Sequence, residues 1–81
     1  CQYWKGECYY GMRNYNQAAL EFQKVFMFDE SNKQDDAQLK LGLCYKMLGD
    51  TERARTEFNK VINNYPDSEY IQRAQSYLSQ L

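Results

Sequence analysis

The sequence predicts an all-α fold, a short α-solenoid of stacked helix pairs, and three observations carry that expectation. Only six residues are β-branched (Val25, Thr51, Thr56, Val61, Ile62 and Ile71), too few for a sheet of any size. Apolar and small residues recur at three- and four-residue spacings, the periodicity of a helix face. Above all, the chain repeats itself. Shifted by 36 residues, Gln2, Gly6, Cys8, Tyr9, Ala18, Glu21, Phe22, Lys24 and Val25 fall on Gln38, Gly42, Cys44, Tyr45, Ala54, Glu57, Phe58, Lys60 and Val61. A period in the thirties built from helical patterns means helix pairs, each covering the apolar face of the next.

Each element has local chemistry behind it. Residues 1–12 place Tyr3, Gly6, Tyr9 and Tyr10 on one helix face. Asn14 can cap a second helix over about 16–28, with Ala18, Phe22, Val25 and Phe26 inward. Asp29 to Asn32 is a polar break, and Ser31 with Gln34 resembles a capping box that opens a third helix. That helix reaches about Leu48 and turns Leu41, Cys44, Tyr45 and Leu48 inward. Gly49 supplies a left-handed stop, and Asp50 caps a fourth helix lined by Ala54, Phe58, Val61 and Ile62. Pro66 ends it, and Asp67 or Ser68 caps a fifth helix with Ala74 and Leu78 inward. Gly6 and Gly42 recur at one register inside helices, where glycine costs about 1 kcal/mol relative to alanine. Close helix approach explains that cost, with Ala18 and Ala54 opposite and Tyr9, Tyr45, Phe22 and Phe58 filling the space between repeats.

Composition narrows the function. The 81 residues allow one small domain, and ten basic against eleven acidic residues set up no field for nucleic acid. The longest apolar run, Val25 to Phe28, is too short for membrane insertion. Histidine is absent, the cysteines therefore lack a general base, and the four serines fall in caps or the last helix, so no nucleophile–base pair points to an enzyme. No glycine-rich phosphate loop occurs, and no cofactor or metal is expected. Asp29-Glu30 and Asp35-Asp36 lack the glycine-turned loop of a cation site and read as solvated helix ends. Three cysteines cannot all pair; Cys8 and Cys44, one repeat apart, read as small buried residues too distant for a disulfide. Met12, Met27 and Met47 read as packing. Residue 1 already sits inside a helical pattern, so a fragment of a longer chain is expected.

Two resemblances sharpen this. Gly42-x-x-Tyr45, Gly49-Asp50, Ala54-x-x-x-Phe58 and Pro66 resemble the tetratricopeptide signature over residues 35–68. Residues 1–34 resemble a second copy, departing at Arg13, where glycine is usual, and at Glu30, where proline is usual. The implied fold is a tetratricopeptide-type solenoid of five helices. It has repeat 1 over about 1–32, repeat 2 over about 33–66 and a capping helix over about 67–81. More narrowly, Tyr3 to Tyr10, Val61 to Ser68 and Ala74 to Leu78 are similar to the C-terminal domain of the Tol–Pal system accessory family. That likeness implies a bacterial scaffold of the periplasm or cell envelope; the alternative is a cytoplasmic one.

Carried over by register, the family's groove positions are Tyr3, Glu7 and Tyr10 in the first repeat. Asp36, Leu39, Leu43, Lys46 and Met47 follow in the second, and Tyr70, Arg73 and Tyr77 in the terminal helix. Tyrosine, methionine and arginine are enriched at binding hot spots, so this wall is expected to take an extended segment or helix of a protein or peptide partner. The terminal helix can instead bend over the wall and bury Leu39, Leu43 and Met47. A co-chaperone-type clamp for an acidic chain terminus fits poorly, because Tyr3 and Glu7 stand where cationic and amide side chains are needed. Trp4 reads as packing against a preceding helix or, exposed among tyrosines, as a self-association surface. A third reading makes the domain a spacer within a larger protein.

Overall fold

A computed structural model describes the backbone of residues 2–28 and 34–81 and the side chains of residues 4–25 and 34–81. Five helices appear in the expected order: α1 (Gln2–Gly11), α2 (Tyr15–Phe28), α3 (Gln34–Met47), α4 (Thr51–Asn64) and α5 (Ile71–Gln80). Each packs on its chain neighbour, giving an all-α helical repeat: pairs α1–α2 and α3–α4, with α5 closing against α4. No described helix is long and apolar enough to cross a membrane.

The caps follow the expected chemistry at two of three places. The Asn14 side chain accepts from the Gln17 N–H at 3.4 Å, and Asp50 accepts from the Arg53 N–H at 3.2 Å. The proposed box of Ser31 with Gln34 lies outside the described residues. At α5 the expectation fails: the helix starts only at Ile71, its N-cap Tyr70 has no side-chain cap, and Ser68 instead accepts from the Tyr70 N–H at 3.0 Å. Ser68 is diverted because its hydroxyl donates to Asp35 of α3 at 2.7 Å, so it anchors the lead-in strap rather than the helix.

The core is built from one contact used twice. A Cβ on Gly42 would lie 2.7 Å from Phe58 Cε1, and one on Gly6 would lie 2.7 Å from two atoms of the Phe22 ring. Both rings are fully buried, as are Ala18, Ala54, Val25 and Val61. The phenylalanines thus seat within each helix pair, not only between repeats as the pattern had suggested. Phe58 does both, since its other face stacks on Tyr77 of α5 at 5.4 Å. Between the repeats, Tyr45 fills the α2–α3 joint and takes a 2.8 Å hydrogen bond from the Gln23 amide.

Three expected core positions are not core. Leu48 lies just past the end of α3 and is half-exposed, Met12 is 64% exposed, and Cys8 is exposed where its counterpart Cys44 is completely buried. For Cys8 the reason is that α2 lies on this face of α3 while no described element covers the same face of α1; Met12, like its counterpart Leu48, sits in the turn just past its helix. At the other end α5 shows solvent a polar row of Gln72, Gln75, Ser76 and Ser79.

The turn after each first helix is left-handed at one residue, Gly49 with φ 83° and Arg13 with φ 62°. Glycine takes that conformation freely, while an L-residue gives up roughly 1–2 kcal/mol. Arg13→Gly is therefore expected to raise stability by about 0.5–1 kcal/mol in urea melts, the remainder being lost to the freer unfolded chain. Gly42→Ala should lower it by about 1–2 kcal/mol, because the buried Phe58 ring has nowhere to go. Gly11→Ala, with nothing within 4 Å of the added methyl, should not; equal effects at both glycines would remove the close-packing explanation.

Candidate functional site

Helices α1, α3 and α5 are joined side by side through side chains, and together they make one wall. Lys40, on α3, is the first joint. Its ammonium meets the Glu7 carboxylate of α1 and lies 3.6 Å from Asp36 Oδ1 one turn back. Asp36 continues the chain, accepting from the Tyr70 hydroxyl at 3.3 Å at the start of α5, and Arg73 lies 5.5 Å from the Tyr70 ring. Burial alone would lower the Lys40 pKa, but the Glu7 and Asp36 carboxylates outweigh it and hold the ammonium above its ordinary value. Burial and then the Asp36 charge raise the Tyr70 phenol, which stays a hydrogen-bond donor.

Further along α3 the wall is aromatic and apolar. Lys46 donates to Gln80 Oε1 at 2.9 Å and sits 5.5 Å from the Tyr77 ring centre, tying α3 to α5 again. Tyr10 packs edge-on against Tyr15 at 5.4 Å; burial raises its pKa, followed by the influence of Cys44, Tyr15, Tyr77 and Glu7. Leu43 is half-buried against the core and Met47 is 53% exposed.

The expected groove residues divide into three groups. Tyr10, Leu43, Lys46, Met47, Arg73 and Tyr77 remain at least partly accessible. Glu7, Asp36 and Tyr70 are accessible in part but bound to one another through Lys40. Leu39 is 1% exposed and is core, not groove, because it turns into the packed interior with Ala37 and Leu41. The Tyr3 side chain lies outside the described residues. The suspected burial of Leu39, Leu43 and Met47 together therefore occurs fully only at Leu39. Asp35 and Asp36 are not solvated helix ends either, since Ser68 and Tyr70 dock on them. Met47 is a surface residue, not packing; Met27 lies outside the described side chains.

Sequence reasoning missed two polar elements. Lys40 has Trp4 at the matching position of the first repeat, so the repeat gave no signal for it. Gln38 and Glu57 are both buried, and the Gln38 amide donates to the Glu57 carboxylate, whose other oxygen lies 3.4 Å from Lys60. Here the signal existed: Gln38, Glu57 and Lys60 all recur one repeat earlier as Gln2, Glu21 and Lys24, an identity that apolar packing does not explain.

Cys8 and Cys44 are free thiols. Burial pushes the Cys44 thiol up to about 12, with Lys40 pulling it down and Glu7 pushing it further up. Alkylation of native Cys44 at pH 8 should be on the order of 1000-fold slower than that of an ordinary thiol. Peptide mass mapping after a short iodoacetamide pulse checks this; labelling of Cys44 as fast as that of Cys8 would contradict the buried joint.

None of the curated proteins and none of the solved structures compared with the chain matches it. A family model described as Tetratricopeptide repeat does match, over residues 1–26 and 36–68. Those two matches coincide with the two glycine–phenylalanine helix pairs and cover most of the sequence; the chain belongs to the tetratricopeptide repeat family.

Proposed function

We propose that the chain is a non-catalytic scaffold whose inner wall binds a segment of a partner protein. Repeats of this family generally mediate protein–protein interactions, which supports the class of function. The observation that supports the site is the set of hot-spot residue types accessible on α1, α3 and α5: exposed Met47 with Leu43 and Lys46 on α3, Lys46 over the Tyr77 ring of α5, and half-buried Tyr10 on α1. The Glu7–Lys40–Asp36 cluster, two carboxylates sharing one ammonium and so formally acidic, is internally paired and borders the wall. A partner segment with one apolar anchor for Met47 and Tyr77, and an acidic residue for Lys46, suits this surface best. Burying the methionine would contribute roughly 1.5–3 kcal/mol.

The finer reading, a scaffold of the Tol–Pal system in the periplasm, rests on the sequence likeness of Tyr3 to Tyr10, Val61 to Ser68 and Ala74 to Leu78. Two measurements test these readings together. Peptides selected from a displayed library against the chain should lose about tenfold or more in affinity to Met47→Glu, with the melting temperature unchanged. Calorimetric titration with each purified Tol–Pal component should give binding that the same substitution weakens. Selected peptides indifferent to Met47, Lys46 and Tyr77 would remove the wall as the site; absence of heat with every component would remove the envelope assignment alone.

A further inference from the structure

We infer that the inner wall selects an extended partner segment with a basic residue at one end, an apolar residue in the middle and an acidic residue at the other. The inference rests on the wall being the binding site, and adds which chemistry the wall takes and at what spacing. Helix α5 runs alongside α3 in the same sense, since Tyr70 meets Asp36 near the start of both and Gln80 meets Lys46 near their ends. The wall therefore has two distinguishable ends, and their charges differ. At the Tyr70 end stand four carboxylates, Glu7, Asp35, Asp36 and Glu69, against two cations, Lys40 and Arg73, a surplus of two negative charges. Ser68 and Tyr70 donate neutral hydroxyls to Asp35 and Asp36, which satisfies carboxylate oxygens without cancelling their charge.

The opposite end is the reverse. Lys46 donates to the Gln80 side-chain oxygen at 2.9 Å and lies 5.5 Å from the Tyr77 ring centre, both neutral partners, and no described carboxylate comes within ion-pair distance of it. An ammonium fixed by neutral groups stays uncompensated and in place, which suits an incoming carboxylate. Half-buried Leu43 lies between the two ends, with exposed Met47 beside Lys46. From Asp36 to Lys46 is about 15 Å along α3 at the helical rise per residue. An extended chain covers that in about four or five residues, where a helix needs about ten. An extended backbone also brings N–H and C=O groups that want partners, and the half-buried phenols of Tyr10 on α1 and Tyr77 on α5 supply them. A segment of one charge sign meets its own sign at one end of the wall and is disfavoured there.

The probe is a displayed library of random dodecapeptides selected against the intact chain. Capped, fluorescein-labelled copies of the enriched peptides are then titrated by anisotropy. Enriched peptides should carry Lys or Arg about four or five positions from Asp or Glu, with an apolar residue between. Replacing the basic residue of such a peptide by Glu, or its acidic residue by Lys, should weaken binding about tenfold at about 50 mM salt and less than about threefold at about 500 mM. With Lys46→Glu in the chain, the peptide whose acid has become Lys should bind better than its parent. With Glu69→Lys, the peptide whose base has become Glu should lose less than it does against the unmodified chain. Lys46→Gln, which removes only the charge, should abolish discrimination at the acidic position and keeps that arm readable if Lys46→Glu fails to fold. Peptides that are sensitive to Met47→Glu yet show no charge order, charges of one sign, or base and acid about ten positions apart on a helix would overturn this inference and leave the wall as the site. Peptides indifferent to Met47→Glu would overturn both.

Discussion

A glycine facing a phenylalanine ring sets the geometry on which everything else rests. With hydrogen at Gly6 and Gly42, each ring lies directly on the backbone of its partner helix. That closeness fixes how α1 crosses α2 and how α3 crosses α4, and so fixes where the other faces of α1 and α3 point. Because the rings are fully buried and rigid, the angle cannot relax by side-chain rotation. The inner wall exists because two such pairs, held at the same angle, present α1 and α3 on the same side, with α5 brought into line by Phe58 and Tyr77.

Polar chemistry then sets register where packing alone would permit sliding. Gln38 and Glu57 bind inside the second pair, and Lys40 binds α1 to α3 and, through Asp36, to α5. Each removes a buried or half-buried charge from isolation, so a shift of one helix by a turn would strand a carboxylate. The wall therefore has a stiff charged end near Lys40 and a more accessible apolar end near Met47. A binding surface benefits from that combination, since the ordering of its own side chains has largely been done before any partner arrives.

Much of this was legible in the sequence, for identifiable reasons. The five helices, the left-handed stop at Gly49, the caps at Asn14 and Asp50 and the glycine notches each depend on neighbours within a few residues or on the repeat. Where the reading failed, the determinant was tertiary and outside the repeat. Leu39 looked like groove because register alone cannot say how far a helix is rotated. Cys8 and Cys44 are the same residue at the same register, and only the presence of α2 on one of them makes one buried. Ser68 was drawn from capping duty by Asp35, a partner 33 residues away in sequence. Of the eleven groove positions carried over by family register, Tyr10, Leu43, Lys46, Met47, Arg73 and Tyr77 are at least partly accessible and Leu39 is core, a difference in helix rotation that register does not encode.

The two ends of the module are unlike, and that has a bearing on assembly. Gln72, Gln75, Ser76 and Ser79 give α5 a surface already content in water, while the outer face of α1 shows aromatic and sulfur-bearing side chains. Endless head-to-tail growth needs two sticky, complementary ends on every subunit. A polar row on α5 offers no match for the apolar outer face of α1, so two copies of this module have no complementary pair of surfaces along the stacking direction and do not propagate one another.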